Sequence, residues 1–361
     1  MVALWLSSMM KWLEPKIMKV FDNIIQDRCA VKPGEHVLIV ADTARDWDTI
    51  TCFVNAIDRA GALFTVAIGP NGGWAPADPY QLTKPIEKAY EGANLVIGAT
   101  FSNAAAVYGR PQPYRDMLSA KKNTRYFSVI ERPFDVIVQD GESDYDEVDR
   151  IGEKIMAAMR KGKRFRVTSN GGTDLSGEIF VPSFGFPADC YKAGTARDPG
   201  DFGTCPGGEM HWAPPYHTVN GTIVIDGPIA NVCDQRDADA PVTITVKKGR
   251  TTNIEGGADA EKLKKLIATI QGDYISEIGV GTNPVRFTSR GLQVQKKVLG
   301  NVHFAYGGWW GQQDRDSIIK ARGAARANEA IPAKIHGDMN AYHGTYEIDG
   351  KVIMENEKLT I

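Results

Sequence analysis

Two kinds of pattern follow one another in the 361-residue sequence and predict an α/β domain followed by an α+β domain. In the first half, short apolar runs alternate with helical patterns, which is typical of a mainly parallel sheet covered by helices. In the second half, Asp-Gly and Asn-Gly pairs separate runs of alternating apolar residues, which indicates antiparallel hairpins. The change of pattern places the domain boundary at about residue 165, with domains at 1–165 and 166–361.

The first half contains strands and helices in the alternating order of a βαβ repeat. Four short apolar runs are predicted as strands, at 36–41, 63–68, 94–98 and 125–130. Helical spacing is found between and after them, at 47–61, 82–92, 113–122 and 145–162. No glycine-rich phosphate loop follows any of these strands, so a nucleotide site is not predicted.

The second half consists mostly of predicted hairpins, beginning with RFRVTSNGGTDLSGEIF and ending with GTYEIDGKVIM. Only 260–271 and 314–330 have helical spacing in this half. The glycine-rich turn formed by Asn170, Gly171, Gly172 and Asp174 has two interpretations. It either enters a functional site from the domain boundary or is an ordinary β-turn.

Composition and charge exclude several classes of function. Lys and Arg number 42 against 44 Asp and Glu, and this balance argues against a nucleic-acid-binding protein. No apolar run reaches the ~20 residues of a membrane-spanning helix, and the apolar segment 1–13 lacks the leading positive charge of a secretory signal. The five cysteines are scattered, without the spacing of a zinc site or a disulfide framework. A reducing cytoplasm is therefore the expected location.

The second half also holds five of the six histidines, and the pair His336-Gly-Asp338 is the most informative of them. Residues two positions apart on a strand point the same way, so His336 and Asp338 can bind one ion together. An imidazole and a carboxylate suit zinc, iron, manganese or cobalt. The alternative is a partly exposed strand with polar residues on its solvent face.

Three further polar residues interrupt apolar, glycine-rich stretches of the second half. Glu209 lies in CPGGEMHWAPP, Glu277 in YISEIGVGTNP and His303 in GNVHFAYGG. Burying an ionised glutamate is costly without a charge partner, which favours a metal ion near these residues. The alternatives are an ion pair of Glu277 with Arg286 or a lysine, and a hydrogen-bonded core histidine at 303.

The order of five short motifs resembles the thermostable leucyl-aminopeptidase-like metallopeptidases of the aminopeptidase T type. These motifs are GGEMHWAP, VNGTIVIDG, ISEIGVGTNP, VHFAYG and HGDMNAY. The resemblance implies a homodimer with a two-metal site, usually of zinc or cobalt, which releases N-terminal amino acids. The expected ligands themselves suit one or two divalent ions, zinc, cobalt or manganese. It also implies five metal ligands, with Glu277 as a bridge between two ions: Glu209, Glu277, His303, His336 and Asp338.

A second resemblance, at RVTSNGGTDLSG, ISEIG and HGD, is to the 2,5-dihydroxypyridine 5,6-dioxygenases. That group opens an aromatic ring with one non-haem Fe(II) held by two histidines and an aspartate. The resemblance implies His336 and Asp338 as two of the ligands and places the third at Glu277, where this chain has a carboxylate instead of a histidine. The chain also keeps Glu209 and His303, which the dioxygenases lack.

The sequence departs from the peptidases just before His303. There the stretch QKKVLGNVH has no carboxylate, whereas the peptidases carry a glutamate, and GGWWGQQ follows where a tyrosine is usual. The general base would then be a ligand carboxylate such as Glu277, or His343 or Tyr342. The alternative for His343 and Tyr342 is ordinary placement on a strand surface.

Four aromatic residues are interleaved with the expected ligands: Trp212, Tyr306, Trp309 and Trp310. If they line a cavity, a flat aromatic substrate is favoured over an extended peptide. The alternative is aromatic packing at an interface.

The primary hypothesis is a metal-dependent hydrolase that cleaves an amide bond in a small molecule or short peptide, with metal-activated water. The alternative is an Fe(II)-dependent ring-cleaving dioxygenase acting on a hydroxylated pyridine or a similar ring. A metal-stabilised binding protein without catalysis is the third possibility. None of these involves a nucleic acid or a membrane.

Overall fold

The structure is a computed structural model that describes residues 14–69, 83–100, 124–129, 132–179, 191–192, 194–308 and 336–361. The predictions for segment 1–13, for the helices at 113–122 and 314–330, and for Trp309 and Trp310 lie outside the described residues. The chain divides into two compact units. One contains Met1–Tyr145 and Ala193–Gly207, and the other contains Asp146–Lys192 and Gly208–Ile361.

This division differs from the boundary predicted at about residue 165 in two ways. The helix Tyr145–Lys161 belongs, from Asp146 onward, to the second unit and not to the first. Its apolar residues Ile151, Ile155 and Met159 pack into the core of that unit. The segment 193–207 belongs to the first unit, where the strand Phe202–Thr204 joins the parallel sheet. A three-residue strand has too few positions to show periodicity, which explains why it is absent from the sequence prediction.

The first unit is an α/β domain with a five-stranded parallel sheet, as predicted. Its strands, numbered along the whole chain, are β1 (His36–Asp42), β2 (Leu63–Gly69), β3 (Leu95–Ala99), β4 (Arg125–Ser128) and β8 (Phe202–Thr204), in the order β2-β1-β3-β4-β8. Its helices are α1 (Pro15–Asn23), which continues into the π-turn Ile24–Arg28, α2 (Trp47–Arg59), α3 (Lys84–Ala89) and α4 (Phe134–Asp140). Strands β3 and β4 are buried throughout, which is typical of a parallel sheet with both faces covered.

The second unit is rich in antiparallel hairpins, also as predicted. One of its sheets has eight strands, which are β5 (Arg164–Ser169), β6 (Asp174–Glu178), β10 (Asn220–Ile225), β11 (Val242–Lys247), β12 (Arg250–Glu255), β16 (Gly344–Ile348), β17 (Lys351–Glu355) and β18 (Lys358–Leu359). Their order in the sheet is β12-β11-β10-β6-β5-β16-β17-β18. The described residues of this unit also form the helices α5 (Tyr145–Lys161), α6 (Ala258–Ile270) and α7 (Leu292–Gln295).

A second antiparallel sheet of the same unit has five strands in the order β15-β14-β13-β9-β7. Its strands are β7 (Tyr191–Lys192), β9 (Glu209–Trp212), β13 (Ile275–Gly281), β14 (Val302–Gly307) and β15 (His336–Ala341). One hydrophobic core contains residues from both sheets, and the Trp212 ring joins them by packing 5.5 Å from Phe165 and 5.2 Å from Tyr346, centroid to centroid. One face of the five-stranded sheet is thereby occupied by the core.

Two of the aromatic residues considered for a substrate cavity belong to this core. Trp212 is 1% exposed, and the Tyr306 hydroxyl donates a hydrogen bond to the carbonyl oxygen of Ala230 at 2.9 Å. Both residues therefore pack inside the second unit. Among the described residues, no helix is both long enough and apolar enough to span a membrane.

Candidate metal centre

The candidate centre lies on the face of the five-stranded sheet opposite the hydrophobic core. Successive side chains of a strand point to opposite faces, so every second residue shares a face. On β9, for example, Met210 and Trp212 point into the hydrophobic core, and the alternating residues Glu209 and His211 therefore point to the opposite face. The same alternation on the three neighbouring strands gives the other members of the site face: Glu277, His303, His336 and Asp338.

The five ligands implied by the resemblance to the peptidases lie in one cluster. His303 Nε2 is 3.1 Å from Glu209 Oε1 and 3.4 Å from Glu277 Oε1. His336 Nε2 is 3.1 Å from Asp338 Oδ1 and 3.7 Å from Glu277 Oε2. The side chains of these residues are almost completely buried, except for His336, which is 17% exposed. Strand pairing thus brings together residues that are more than one hundred positions apart in the sequence.

The cluster contains two overlapping groups of donor atoms. In one group, Glu209, His211 and Glu277 place a ligand atom each within 4.8 Å of one another. In the other group, Glu277, His303 and Asp338 do the same. Glu277 belongs to both groups. His211 was not among the predicted residues, although its spacing from Glu209 repeats that of His336 and Asp338.

Two buried lysines complete the cluster, and the sequence reasoning missed them. Lys296 Nζ is 2.6 Å from Asp338 Oδ2 and 3.3 Å from Glu209 Oε1. The Lys297 ammonium group donates to Glu209 Oε2. Lysines are rarely buried without a charge partner. The two adjacent lysines in QKKVLGNVH, shortly before a buried strand, could therefore have indicated that carboxylates lie nearby.

The electrostatics of the cluster keep two of its carboxylates ionised. Burial raises the pKa of Glu277, but the nearby His211 and His336 and a hydrogen bond from His303 bring that pKa below its usual value. Burial likewise opposes ionisation of Asp338, while Lys296 and His336 hold its pKa well below the usual range. Carboxylates that remain charged in a buried place are suited to bind a cation.

The pKa values of His303 and His336 are shifted in opposite directions. Burial lowers the pKa of His303, which favours the neutral ring that binds metals. Burial also opposes protonation of His336, but Glu277 and Asp338 raise its pKa above the usual value. The Nδ1 of His336 is 2.8 Å from the carbonyl oxygen of Gly308, a contact that holds its Nε2 toward the cluster.

A glycine makes room for the His303 ring. Gly279 on β13 pairs with His303 on one side and His211 on the other. A Cβ atom at Gly279 would overlap the His303 ring. The absence of a side chain at this position therefore allows the imidazole to lie across the strand.

Tyr342 and His343, considered as general bases, are not brought to the cluster. They follow the end of β15 opposite His336, about 20 Å along the strand at ~3.3 Å per residue. The Tyr342 hydroxyl donates to Asp237 Oδ1 at 2.5 Å, and His343 Nδ1 lies 3.0 Å from Glu357 Oε1. Neither side chain is placed to exchange a proton with a group bound beside His336.

Two of the alternative interpretations also have an outcome in the structure. Arg286, considered as the partner of Glu277, forms an ion pair with Glu357 instead. In the turn Asn170–Asp174, the site of Gly171 faces Asp226, and the N–H of Asn170 donates to the His343 carbonyl oxygen. The turn therefore joins β5 and β6 and makes its contacts near the far end of β15.

The chain thus combines an α/β unit with an antiparallel unit whose clustered carboxylates and imidazoles could hold a metal ion. The chain belongs to the 2,5-dihydroxypyridine 5,6-dioxygenase family (NicX), whose family model matches residues 16–361. The resemblance to this family noted from short motifs is thereby confirmed. The reaction in the name of the family is that of relatives of this chain.

One curated relative matches part of the chain in sequence, and two solved structures share its fold. The 2,5-dihydroxypyridine 5,6-dioxygenase of Pseudomonas putida KT2440 is 27% identical over 184 residues, which is 48% of this chain and 48% of that relative. The structure of that organism's 2,5-dihydroxypyridine dioxygenase aligns over 95% of this chain and 96% of the other, with a TM-score of 0.74 at 18% identity. The chain thus matches about half the length of the curated relative in sequence.

The aminopeptidase T type shares the fold as well. Wild-type AmpT from Thermus thermophilus aligns over 96% of this chain and 99% of the other, with a TM-score of 0.64 at 14% identity. The two-family resemblance expected from the sequence is therefore confirmed. At these identities the two structures establish the fold, and the reaction has to be argued from the cluster.

Proposed function

We propose that the cluster binds a divalent metal ion through Glu277, His303, His336 and Asp338. We further propose that the metal-loaded enzyme uses dioxygen to open a hydroxylated pyridine or a similar aromatic ring. The observation that carries the proposal is the convergence of these four side chains on one buried face of the sheet. Membership of the dioxygenase family supports the choice of reaction.

The residues fit a metal ion by their charge and their donor atoms. Glu277 and Asp338 place carboxylate oxygens within 4.8 Å of each other and of His303, in a buried position where a metal ion would reduce the repulsion between the two negative charges. Two imidazoles with carboxylates form a mixed nitrogen and oxygen donor set, which suits Fe(II), manganese, zinc and cobalt. Iron with such ligands and open positions is typical of non-haem oxygenases.

The protein's own groups orient the donors. When bound, a ferrous ion supplies redox chemistry toward dioxygen and a Lewis-acid contact for a ring hydroxyl. Lys296 holds Asp338 by Oδ2, which leaves Oδ1 facing His336. The carbonyl oxygen of Gly308 holds the other side of the His336 ring. These contacts fix the donors before an ion or a substrate arrives, and burial of the cluster limits access of water.

A second candidate is hydrolysis of an amide bond in a small molecule or short peptide. The observation that favours it is the carboxylate at Glu277, with Glu209 beside it, where the resemblance to the peptidases implies metal ligands. A divalent ion held by Glu277 and the neighbouring donors would supply Lewis-acid chemistry and would lower the pKa of water to about 7. Zinc, cobalt or manganese would serve this reaction.

One experiment separates the two reactions. The protein is stripped of metal, reloaded without oxygen with Fe(II), Zn²⁺, Co²⁺ or Mn²⁺, and offered either hydroxypyridines with dioxygen or aminoacyl amides without it. We expect dioxygen uptake and loss of ring absorbance with the Fe(II) enzyme alone. Anaerobic amide cleavage by the zinc or cobalt enzyme, with no dioxygen uptake by the iron enzyme, would establish the hydrolase instead.

A pair of histidine variants tests the site. His336→Ala removes an imidazole from the cluster, and we expect it to abolish turnover while the protein stays folded by circular dichroism. His217→Ala changes an exposed histidine of the turn Tyr216–Thr218 and serves as the matched control. Turnover retained in His336→Ala at the level of His217→Ala would contradict the assignment.

A further inference from the structure

We infer that Lys296 and Lys297 take the place of a second cation and restrict this centre to one metal ion. The inference rests on the proposed function only in requiring that the cluster bind metal, whichever reaction follows. It concerns the two overlapping donor groups, each of which offers three ligand atoms close together and both of which include Glu277.

The charge of Glu209 is already compensated by the protein. Lys297 donates to Glu209 Oε2, and Lys296 Nζ lies 3.3 Å from Glu209 Oε1. Each carboxylate oxygen therefore faces an ammonium group. An ammonium group and a divalent cation compete for the same oxygen lone pairs, so an ion at Glu209 would have to displace a buried positive charge.

Lys296 also connects the two ends of the cluster. Its Nζ contacts Asp338 Oδ2 at 2.6 Å while facing Glu209, so one ammonium group lies between two carboxylates as a bridging cation would. The side chains of Lys296 and Lys297 are 8% and 3% exposed. Because both are buried, neither can move its charge into solvent without rearrangement of the surrounding chain.

The donor atoms that are not paired with both lysines form the site of the single ion. Among the described residues, the ion-pair contacts of Glu277 are to imidazoles, at 3.4 Å to His303 and 3.7 Å to His336. Asp338 offers Oδ1 on the same side. Since none of the lysines in the described part of the chain forms an ion pair with Glu277, this carboxylate retains a charge that a cation can neutralise.

Metal stoichiometry tests the inference directly. Protein loaded with Zn²⁺ is freed of excess ion and analysed by plasma mass spectrometry, with the double variant Lys296→Met/Lys297→Met beside the wild type. We expect one ion per chain in the wild type and two in the double variant. Lys262→Met, which removes an exposed lysine paired with Asp259, is the control and should keep one ion. Two ions in the wild type, or one in the folded double variant, would overturn the inference.

A second pair of variants decides the matter if the double variant does not fold. Glu209→Gln should still bind one ion, since Glu209 pairs with lysines, whereas Glu277→Gln should bind it at least about 10- to 100-fold more weakly. Equal loss of the ion in both variants would overturn the inference. A wild type with one ion but no dioxygen uptake would contradict the proposed reaction and leave the one-ion centre in place.

Discussion

Gly279 shows how a single residue shapes the candidate centre. Because a Cβ atom there would overlap the His303 ring, Gly279→Ala must push the imidazole away from Glu277. We expect the variant to bind metal about 10- to 100-fold more weakly. Overpacking should also lower the free energy of unfolding by about 1–3 kcal/mol. Metal titration and urea denaturation measure the two effects.

The control for this substitution is Gly92→Ala. Gly92 is exposed, and a Cβ atom there would meet nothing within 4 Å, so metal affinity and stability should stay near wild type. Metal affinity in Gly279→Ala equal to that in Gly92→Ala would show that the His303 ring does not bind the ion.

Residue-scale prediction from the sequence succeeded where strand periodicity applies. His336 and Asp338 are two positions apart, and this spacing correctly places both side chains on one face of β15. Lys296 and Lys297 follow a short helix and precede a strand, so no periodicity indicates where their side chains point. Their contacts depend on tertiary packing against Glu209, which the sequence alone does not reveal.

At the scale of elements, the first turn of α6 depends on a buried carboxylate. Asp259 accepts hydrogen bonds from Arg236 at 2.6 Å, from Lys262 at 2.9 Å and from the N–H of Asp239 at 3.0 Å. The hydrogen bond from Arg236 is the largest effect and lowers the pKa of Asp259, and Lys262 lowers it further. Asp259 therefore remains charged under acidic conditions that protonate an ordinary aspartate.

Asp259→Asn should lower the free energy of unfolding by about 1–3 kcal/mol at pH 7, as expected for the loss of charged hydrogen bonds. A depressed pKa in the folded state stabilises the protein above the unfolded pKa of about 4 and ceases to do so as the pH falls through the folded value. The difference between wild type and variant should thus shrink below about pH 4. Urea denaturation at pH 7, 4 and 3 measures it.

Glu261→Gln provides the comparison on the same helix. Glu261 is 62% exposed and lies 3.8 Å from Lys264, so its replacement should change stability by less than about 1 kcal/mol. A pH-independent difference between Asp259→Asn and wild type would contradict the role assigned to the charge of Asp259.

Elements were predictable from sequence in proportion to their length. The apolar runs 36–41 and 63–68 correspond to β1 and β2, and the helical spacing at 47–61 corresponds to α2. Strands β7, β8 and β9 have two to four residues, which is too short for the alternation that identifies a strand. Glu209 lies on β9, which was not predicted as a strand. It was identified as a candidate ligand from the motif GGEMHWAP instead.

At the scale of the whole molecule, a buried ion pair secures the return segment of the first unit. Arg28 is 1% exposed and donates to Asp140 Oδ2 at 2.6 Å. The same guanidinium donates to the carbonyl oxygens of Gly194 and Thr204, at 2.7 and 2.9 Å. One side chain thus joins the π-turn, α4 and the segment that contributes β8.

Arg28→Met should lower the free energy of unfolding by about 3–5 kcal/mol, because it leaves the Asp140 charge buried without its partner. Guanidinium denaturation measures the loss. The matched control is Arg59→Met, since Arg59 and Asp22 form a pair that is 33% and 30% exposed, and it should cost less than about 1 kcal/mol. Equal stability of the two variants would show that Arg28 does not secure the segment.

The presence of two units of different type was predictable from the sequence. The first half alternates strand and helix patterns, whereas the second half has mainly the two-residue period of strands. The return of 193–207 was not, since the pairing of β8 with β4 is a long-range contact. The homodimer and the cytoplasmic location stay predictions. Sedimentation analysis of the purified protein tests the former.

The most direct test of the central claim is an anomalous difference map at the iron edge, from crystals grown with Fe(II) in the absence of oxygen. We expect one strong peak in contact with Glu277, His303, His336 and Asp338. A map without a peak among these four side chains, or with iron bound elsewhere, would contradict it.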